Sequence, residues 1–285
     1  MTEEKEITMG EFHTEYILYR EGIVKPSTRA ADDLAFRKFI GHLPDGHRTP
    51  MHRVQPRHAD TFISECSRRG LKATSTTNHY RHLHTGFETG KRWGHIEVNP
   101  LSDVKPPRIH KAPPKYIPIE EWAAFINGIT DHDKRMLITA YLATGRRRCE
   151  LLDLKWSDIN WDRSEYTVHS TKINQDIVFP INDLFYEVLV EQCIFWGRHE
   201  MVFPRWKNPD SVTHWAKQEL INAGYPDLHL HNFRHSFACG FVLRDGDIYV
   251  LMNLLGHSNV GTTMRYATVS QEKLAIEVQR IGWVQ

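Results

Sequence analysis

The chain has 285 residues, with 36 Lys and Arg against 35 Asp and Glu, a net charge of +1 with His neutral. No apolar run approaches the roughly 18 residues that span a bilayer, and the start, Thr2-Glu3-Glu4-Lys5-Glu6, is unlike a signal peptide, so a cytoplasmic protein without membrane attachment is expected. Cys66, Cys149, Cys193 and Cys239 stand singly with no Cys-x-x-Cys pair, which argues against a disulfide framework and a cysteine zinc site.

A chain of this length is expected to divide into two domains, because a single core stops growing near this size. The near-zero net charge hides an asymmetry: residues 46–115 carry 13 Lys and Arg against 5 Asp and Glu, whereas residues 116–285 carry 17 against 21. A phosphate-facing surface is therefore expected mainly in the first part.

In chain order, Met9, Phe12, Tyr16 and Tyr19 recur at spacings of three and four and predict an amphipathic helix. A second helix follows Lys25-Pro26, with Ser27 or Thr28 as its cap, and carries Leu34, Phe36, Phe39 and Ile40 up to Gly41. The stretch from Leu43 to Pro56 reads as a loop, after which a third helix carries Phe62 and Ile63 and stops at Gly70. Thr74-Ser75-Thr76-Thr77 is read as the cap of a fourth, with Tyr80, Leu83 and Phe87 on one side. This gives a compact all-α domain over 1–104. Val104 to Lys115 holds four prolines and four cations, so 105–115 is expected to be a semi-rigid basic strap.

From residue 116 a second domain is expected, opening at Ile119-Glu120-Glu121-Trp122 and continuing with a helix from Asp133 to Leu142. Glu165 to Thr171 and Asp176 to Ile181 are rich in β-branched and aromatic residues and predict a hairpin around Lys172. Helices are expected over Leu184 to Trp196, Ser211 to Ala223 and Ile248 to Leu255, the last stopped by Gly256, with Ser258 capping a short helix that carries Tyr266. Leu274, Ile276, Val278 and Ile281 predict a tail helix over 270–285.

Near the C-terminal end the chain reads His231-Asn232-Phe233-Arg234-His235, then Leu255-Gly256-His257-Ser258-Asn259-Val260-Gly261-Thr262-Thr263-Met264-Arg265-Tyr266. Arg, His and Tyr together suit a site that holds a phosphodiester while a phenolic oxygen attacks it. His231 and His235 have the spacing of a helical metal pair, but the Glu of His-Glu-x-x-His is missing and no third ligand is signposted, so no metal and no other cofactor is expected. Upstream, Thr144-Gly145-Arg146-Arg147-Arg148-Cys149-Glu150-Leu151 presents three consecutive arginines. Glu150, three residues after Arg147, can hold its guanidinium.

These boxes resemble those of the tyrosine recombinase (phage integrase) family: Thr-Gly-x-Arg-x-x-Glu-Leu, in which the Thr-Gly upstream and the Glu-Leu downstream select Arg147 among the three arginines, His-x-x-Arg-His and Leu-Gly-His-Ser-x-x-Thr-Thr-x-x-Tyr. The end of the first domain, Trp93-Gly94-His95-Ile96-Glu97-Val98-Asn99-Pro100, is similar to the close of the family's core-binding domain. The resemblance implies a mainly α fold with a small β-sheet: a helical, SAM-like core-binding domain plus an α+β catalytic domain over 116–285, closing on DNA as a C-shaped clamp. It implies a site-specific recombinase that cuts and rejoins DNA through a 3′-phosphotyrosine. Arg147, Arg234 and His257 would hold the phosphate, His231 would assist proton transfer, Lys172 would protonate the leaving 5′ oxygen, and Tyr266 would be the nucleophile. Arg81, Lys91, Lys105, Arg108 and Arg146 are the expected DNA contacts. The implied partners are double-stranded DNA with inverted core sites and three further copies of the chain in a homotetramer, with a monomer or dimer off DNA. A bacterial or phage-encoded, nucleoid-associated protein fits this reading. A type IB topoisomerase-like enzyme and a catalytically silent DNA-binding accessory protein are the alternatives.

Overall fold

The computed structural model describes residues 6–109, 112–170 and 175–267 and forms two compact units, Met1–Lys111 and Ala112–Gln285. Lys172 and the tail over 270–285 lie outside the described residues.

The first unit contains α1 (Met9–Tyr19), α2 (Pro26–Ile40), α3 (Pro56–Arg68) and α4 (Ala73–Arg92). Its core follows from the helical spacing: Met9, Phe12 and Tyr16 of α1 meet Phe36, Phe39 and Ile40 of α2 and Leu83 and Phe87 of α4. The Phe36 ring lies 5.9 Å from that of Phe12 and 6.0 Å from that of Phe87. Gly86 makes this approach possible, because a Cβ there would come 2.4 Å from Phe36 Cζ. Leu34 was expected on the buried stripe but is 42% exposed; Ala35 takes the inward position beside Phe36.

Two caps differ from expectation for a local reason. Helix α2 starts at Pro26, whose fixed φ suits the first helical position, so Lys25 is the N-cap and Ser27 and Thr28 lie inside the first turn. Helix α4 likewise begins at Ala73 after Lys72, and Thr76 and Thr77 are buried within it. The expected loop from Leu43 to Pro56 includes two 3-10 turns, Gly46–Arg48 and Met51–Arg53. Asp32 is fully buried in this unit and is held by Arg20 Nε at 3.0 Å and His82 Nδ1 at 2.7 Å, which supply the partners a buried carboxylate requires.

The second unit contains α5 (Trp122–Asn127), α6 (His132–Thr144), α7 (Arg148–Leu152), β1 (Ile159–Asn160), β2 (Glu165–Ser170) and β3 (Gln175–Pro180). It continues with α8 (Asp183–Trp196), α9 (Pro209–Asn222), α10 (His231–Leu243), α11 (Ile248–Leu254) and α12 (Val260–Ala267). Helix α6 is buried without interruption from Leu137 to Thr144, because both α8 and α10 pack against it. The three strands form an antiparallel sheet in the order β1-β2-β3, with Tyr166 opposite both Ile159 and Phe179. The two-residue β1 is too short to give a period and was not read from the sequence. A smaller cluster, Ala238, Cys239, Leu251, Leu255 and Tyr266, fastens α11 and α12 to α10.

The chain is thus mainly helical with one small antiparallel sheet. Among the described residues, no helix is long and apolar enough to cross a membrane.

Candidate active site

The end of α6 determines where the first arginines go. Gly145 takes the left-handed conformation (φ +62°) that ends the helix, and a Cβ on it would lie 2.5 Å from Phe237 Cδ1, so both backbone and space demand glycine. The chain then turns, and Arg147 becomes the extended N-cap of α7 rather than a helical residue. Glu150 receives the Arg147 backbone N–H on Oε2 at 2.8 Å and its guanidinium on Oε1 at 2.7 Å. Burial disfavours the charged Glu150 carboxylate, but the two Arg147 hydrogen bonds and the nearby Arg146 charge together hold it below the usual range.

The neighbouring arginines have other fates. Arg148 turns to Pro209 O, Asp210 Oδ1 and Thr213 Oγ1, all within 3.0 Å. Arg146, expected on a DNA-facing surface, is instead only 3% exposed. Its guanidinium lies 3.6 Å from the centre of the Phe179 ring and its Nε donates to Thr144 O at 3.3 Å. The cause is non-local: β3 brings Phe179 across the turn, and a planar cation stacks on that face.

Arg234 is 2% exposed on α10. It donates to Gly145 O at 2.9 Å and Leu255 O at 2.5 Å. Those residues are the C-caps of α6 and α11, so two negative helix ends hold one guanidinium. Burial, followed by the charges of Arg147 and Arg146, pushes its pKa down to about 9, which leaves it charged at neutral pH.

After α11, Gly256 (φ +59°) turns the chain so that His257 Nδ1 lies 2.8 Å from the buried Thr263 Oγ1 on α12. The start of α12 has Asn259 Oδ1 accepting from Gly261 N at 2.7 Å, whereas Ser258 was the expected cap. Tyr266 is 2% exposed, and its hydroxyl lies 2.8 Å from His235 Nδ1. Burial raises the Tyr266 pKa against the opposing charges of Arg234 and Arg265.

Arg147, His231, Arg234, His257 and Tyr266 all line one cleft of about 760 Å³, together with His235, Arg265 and Ile177 and Phe179 of β3. Five of the six expected catalytic positions therefore converge, and Lys172 lies outside the described residues. His235 was missed as a contributor. The sequence signal for it is its place one turn after His231, where it closes His-x-x-Arg-His. Among the described residues, no three His, Cys, Asp or Glu side chains are grouped to hold a metal ion. Of the expected DNA contacts elsewhere, Arg81 and Lys91 are exposed on α4, and Lys105 and Arg108 are exposed in the proline-rich segment.

All three histidines of the cleft are held towards the neutral form. Burial, then neighbouring positive groups, pushes His235 down to about 3 and His257 to about 4, and lowers His231. Their unfolded pKa lies near 6.5, so below that pH the unfolded chain takes up protons that the folded chain refuses. The stability tied to His235 and His257 is therefore complete above about pH 6.5 and is lost as pH falls towards 4, by at most about 1.4 kcal/mol per pH unit per histidine. Urea midpoints at pH 7 and pH 5 should differ in this sense, and His257→Asn should flatten the difference; an unchanged slope in that variant would contradict the assignment.

The family model described as the phage integrase family matches residues 119–273, more than half of the chain. A tyrosine recombinase XerC of Xylella fastidiosa (strain M23) is 28% identical over 259 residues, covering 85% of this chain and 87% of that protein. A crystal structure of the XerH site-specific recombinase bound to its palindromic difH substrate superposes with a TM-score of 0.81 at 15% identity, covering 98% of each chain. A lambda integrase tetramer bound to a Holliday junction gives a TM-score of 0.76 at 17% identity, covering 92% of this chain and 78% of that one. The chain belongs to the phage integrase family and is a site-specific recombinase of the tyrosine type.

Proposed function

We propose that this cleft breaks and rejoins DNA with Tyr266 as nucleophile and Arg147, Arg234 and His257 as the phosphate clamp. The observation that carries the proposal is the convergence of Arg147, His231, Arg234, His257 and Tyr266, from three separate stretches of sequence, on one cleft. A phosphodiester resists anionic attack, and charge grows on its non-bridging oxygens as the phosphorus is approached, so fixed cations lower the barrier. The Arg147 guanidinium is braced by Glu150 and that of Arg234 by two carbonyls, and neither needs to reorganise when the phosphate arrives. The Tyr266 hydroxyl gives up its proton, a transfer assigned to His231, as its oxygen forms a bond to phosphorus; the bond to the 5′ oxygen breaks, and that oxygen takes a proton, a role assigned to Lys172. Rejoining reverses these steps with the 5′ hydroxyl of a different strand, so no nucleotide triphosphate is consumed.

Residues 1–104 act as a core-binding domain and 116–285 as the catalytic domain, with 105–115 between them, and both bind duplex DNA. Arg81, Lys91, Lys105 and Arg108 contact the DNA backbone. Four copies assemble on paired inverted core sites, in line with the lambda integrase tetramer on its junction, and the protein works in the cytoplasm on nucleoid or element DNA. The test is strand exchange between the DNA ends of the element around the gene, in excess EDTA. Exchange at the rate seen without chelator is expected, because the positive charge of the clamp comes from the guanidinium groups of Arg147 and Arg234. Loss on chelation and recovery with magnesium or zinc would reject it.

A further inference from the structure

We propose that His235 is a positioning residue for the nucleophile: its Nδ1 accepts the Tyr266 hydroxyl and fixes the phenolic oxygen in the cleft. The inference rests on the reading of Tyr266 as nucleophile.

Tyr266 sits on the eight-residue helix α12, which is short enough to need tertiary contacts for its placement. Its ring is anchored by Ala238, Cys239, Leu251 and Leu255, and these apolar contacts fix the ring plane but not the direction of the hydroxyl. A buried tyrosine hydroxyl needs a hydrogen-bond partner, and here it lies 2.8 Å from His235 Nδ1. The His235 ring is in turn held edge-on to His231, with centroids 4.9 Å apart, one helical turn away on α10. The oxygen is thereby located by two rigid elements, through ring packing at one end and a directed bond at the other.

The charges around His235 determine its protonation state. The positive and titratable groups facing it are His231, Arg265, Arg234 and His229, with Tyr266 itself on α12. Burial and these neighbours keep the imidazole neutral; in the tautomer that the proposed role requires, Nε2 carries the proton, Nδ1 is the acceptor and the phenol donates. Burial also keeps the proton on Tyr266. His235 therefore orients the hydroxyl without withdrawing its proton, which is the distinction between it and a general base. His231, to which the family resemblance assigns the proton transfer, lines the same cleft beside it.

The test compares His235→Asn, which places an acceptor oxygen near the Nδ1 position, with His235→Gln, which places it near Nε2, and with His235→Leu, which has none. Each full-length variant is given a nicked duplex bearing its core site, with single-turnover covalent capture and site affinity measured in parallel. His235→Leu and His235→Gln should capture about 100-fold more slowly at unchanged affinity, and His235→Asn should recover most of the rate. Equal rates for Asn and Gln, or a wild-type rate for Leu, would overturn the proposal. If Leu fails to fold, the Asn–Gln comparison decides alone. Tyr266→Phe, run alongside, separates the two claims: capture by Phe would sink the nucleophile assignment, whereas a silent Phe variant with a fast Leu variant would sink only the role of His235.

Discussion

Replacing Tyr266 with Phe is expected to abolish covalent capture of DNA while leaving affinity for the site within a few-fold of the wild-type value. The ring is buried among Ala238, Cys239, Leu251 and Leu255, and Phe preserves all of those contacts. What is lost is the oxygen and its bond to His235 Nδ1. Leaving that nitrogen without a donor costs about 1–3 kcal/mol of stability, too little to unfold a domain with a core of this size. Arg147, Arg234 and His257 remain in place, so the phosphate is still bound. A denaturing gel after incubation with a nicked duplex reads the result directly, and a denaturant-resistant adduct with the Phe variant would show that another residue attacks.

Replacing Arg234 with Ala should lower the capture rate by about 1,000-fold or more, because it removes a fixed cation that would meet the developing phosphate charge. Stability should fall as well. The guanidinium satisfies Gly145 O and Leu255 O at the ends of α6 and α11, and without it both carbonyls face a cavity. Each orphaned carbonyl carries a penalty of about 1–3 kcal/mol. Arg234→Lys separates the two effects: an ammonium restores charge but lacks the planar fork that spans both carbonyls, so little activity should return. Arg148→Ala is the matched control. That arginine is engaged with Asp210 and Thr213, and its loss should leave the capture rate within a few-fold. Single-turnover capture of Arg234→Ala within about 10-fold of wild type would show that the arginine is structural.

Much of the site was legible because its determinants are local in sequence. The Thr-Gly before Arg147 and the Glu-Leu after it single it out among three arginines once matched to the family's first box, and Glu150, three residues beyond this N-cap, lies within its reach, whereas the helix expected to stop at Leu142 runs on to Thr144 and is closed by Gly145. The Gly256 stop of α11 and the β-branched and aromatic runs of β2 and β3 are similarly readable. What was not legible depends on partners distant in the chain. The burial of Arg146 is set by Phe179, and the bond between His235 and Tyr266 exists only because α12 packs on α10. The caps of α2 and α4 were misplaced because Pro26 competes with Ser27 for the helix start, and a row of threonines reads as a cap whether it lies outside or inside the first turn.

The central claim is that the Tyr266 oxygen becomes bonded to DNA phosphate in a reaction that needs no metal ion. The most direct measurement is to trap the complex of the wild-type protein on a nicked core-site duplex in excess EDTA, digest the protein and the DNA, and locate the nucleotide-bearing peptide by mass spectrometry. The predicted result is a phosphonucleotide on Tyr266, in the peptide that continues from Val260-Gly261-Thr262-Thr263-Met264-Arg265, in an amount unchanged by added magnesium. A nucleotide on any other residue, or an adduct that forms only when a divalent ion is restored, would contradict it.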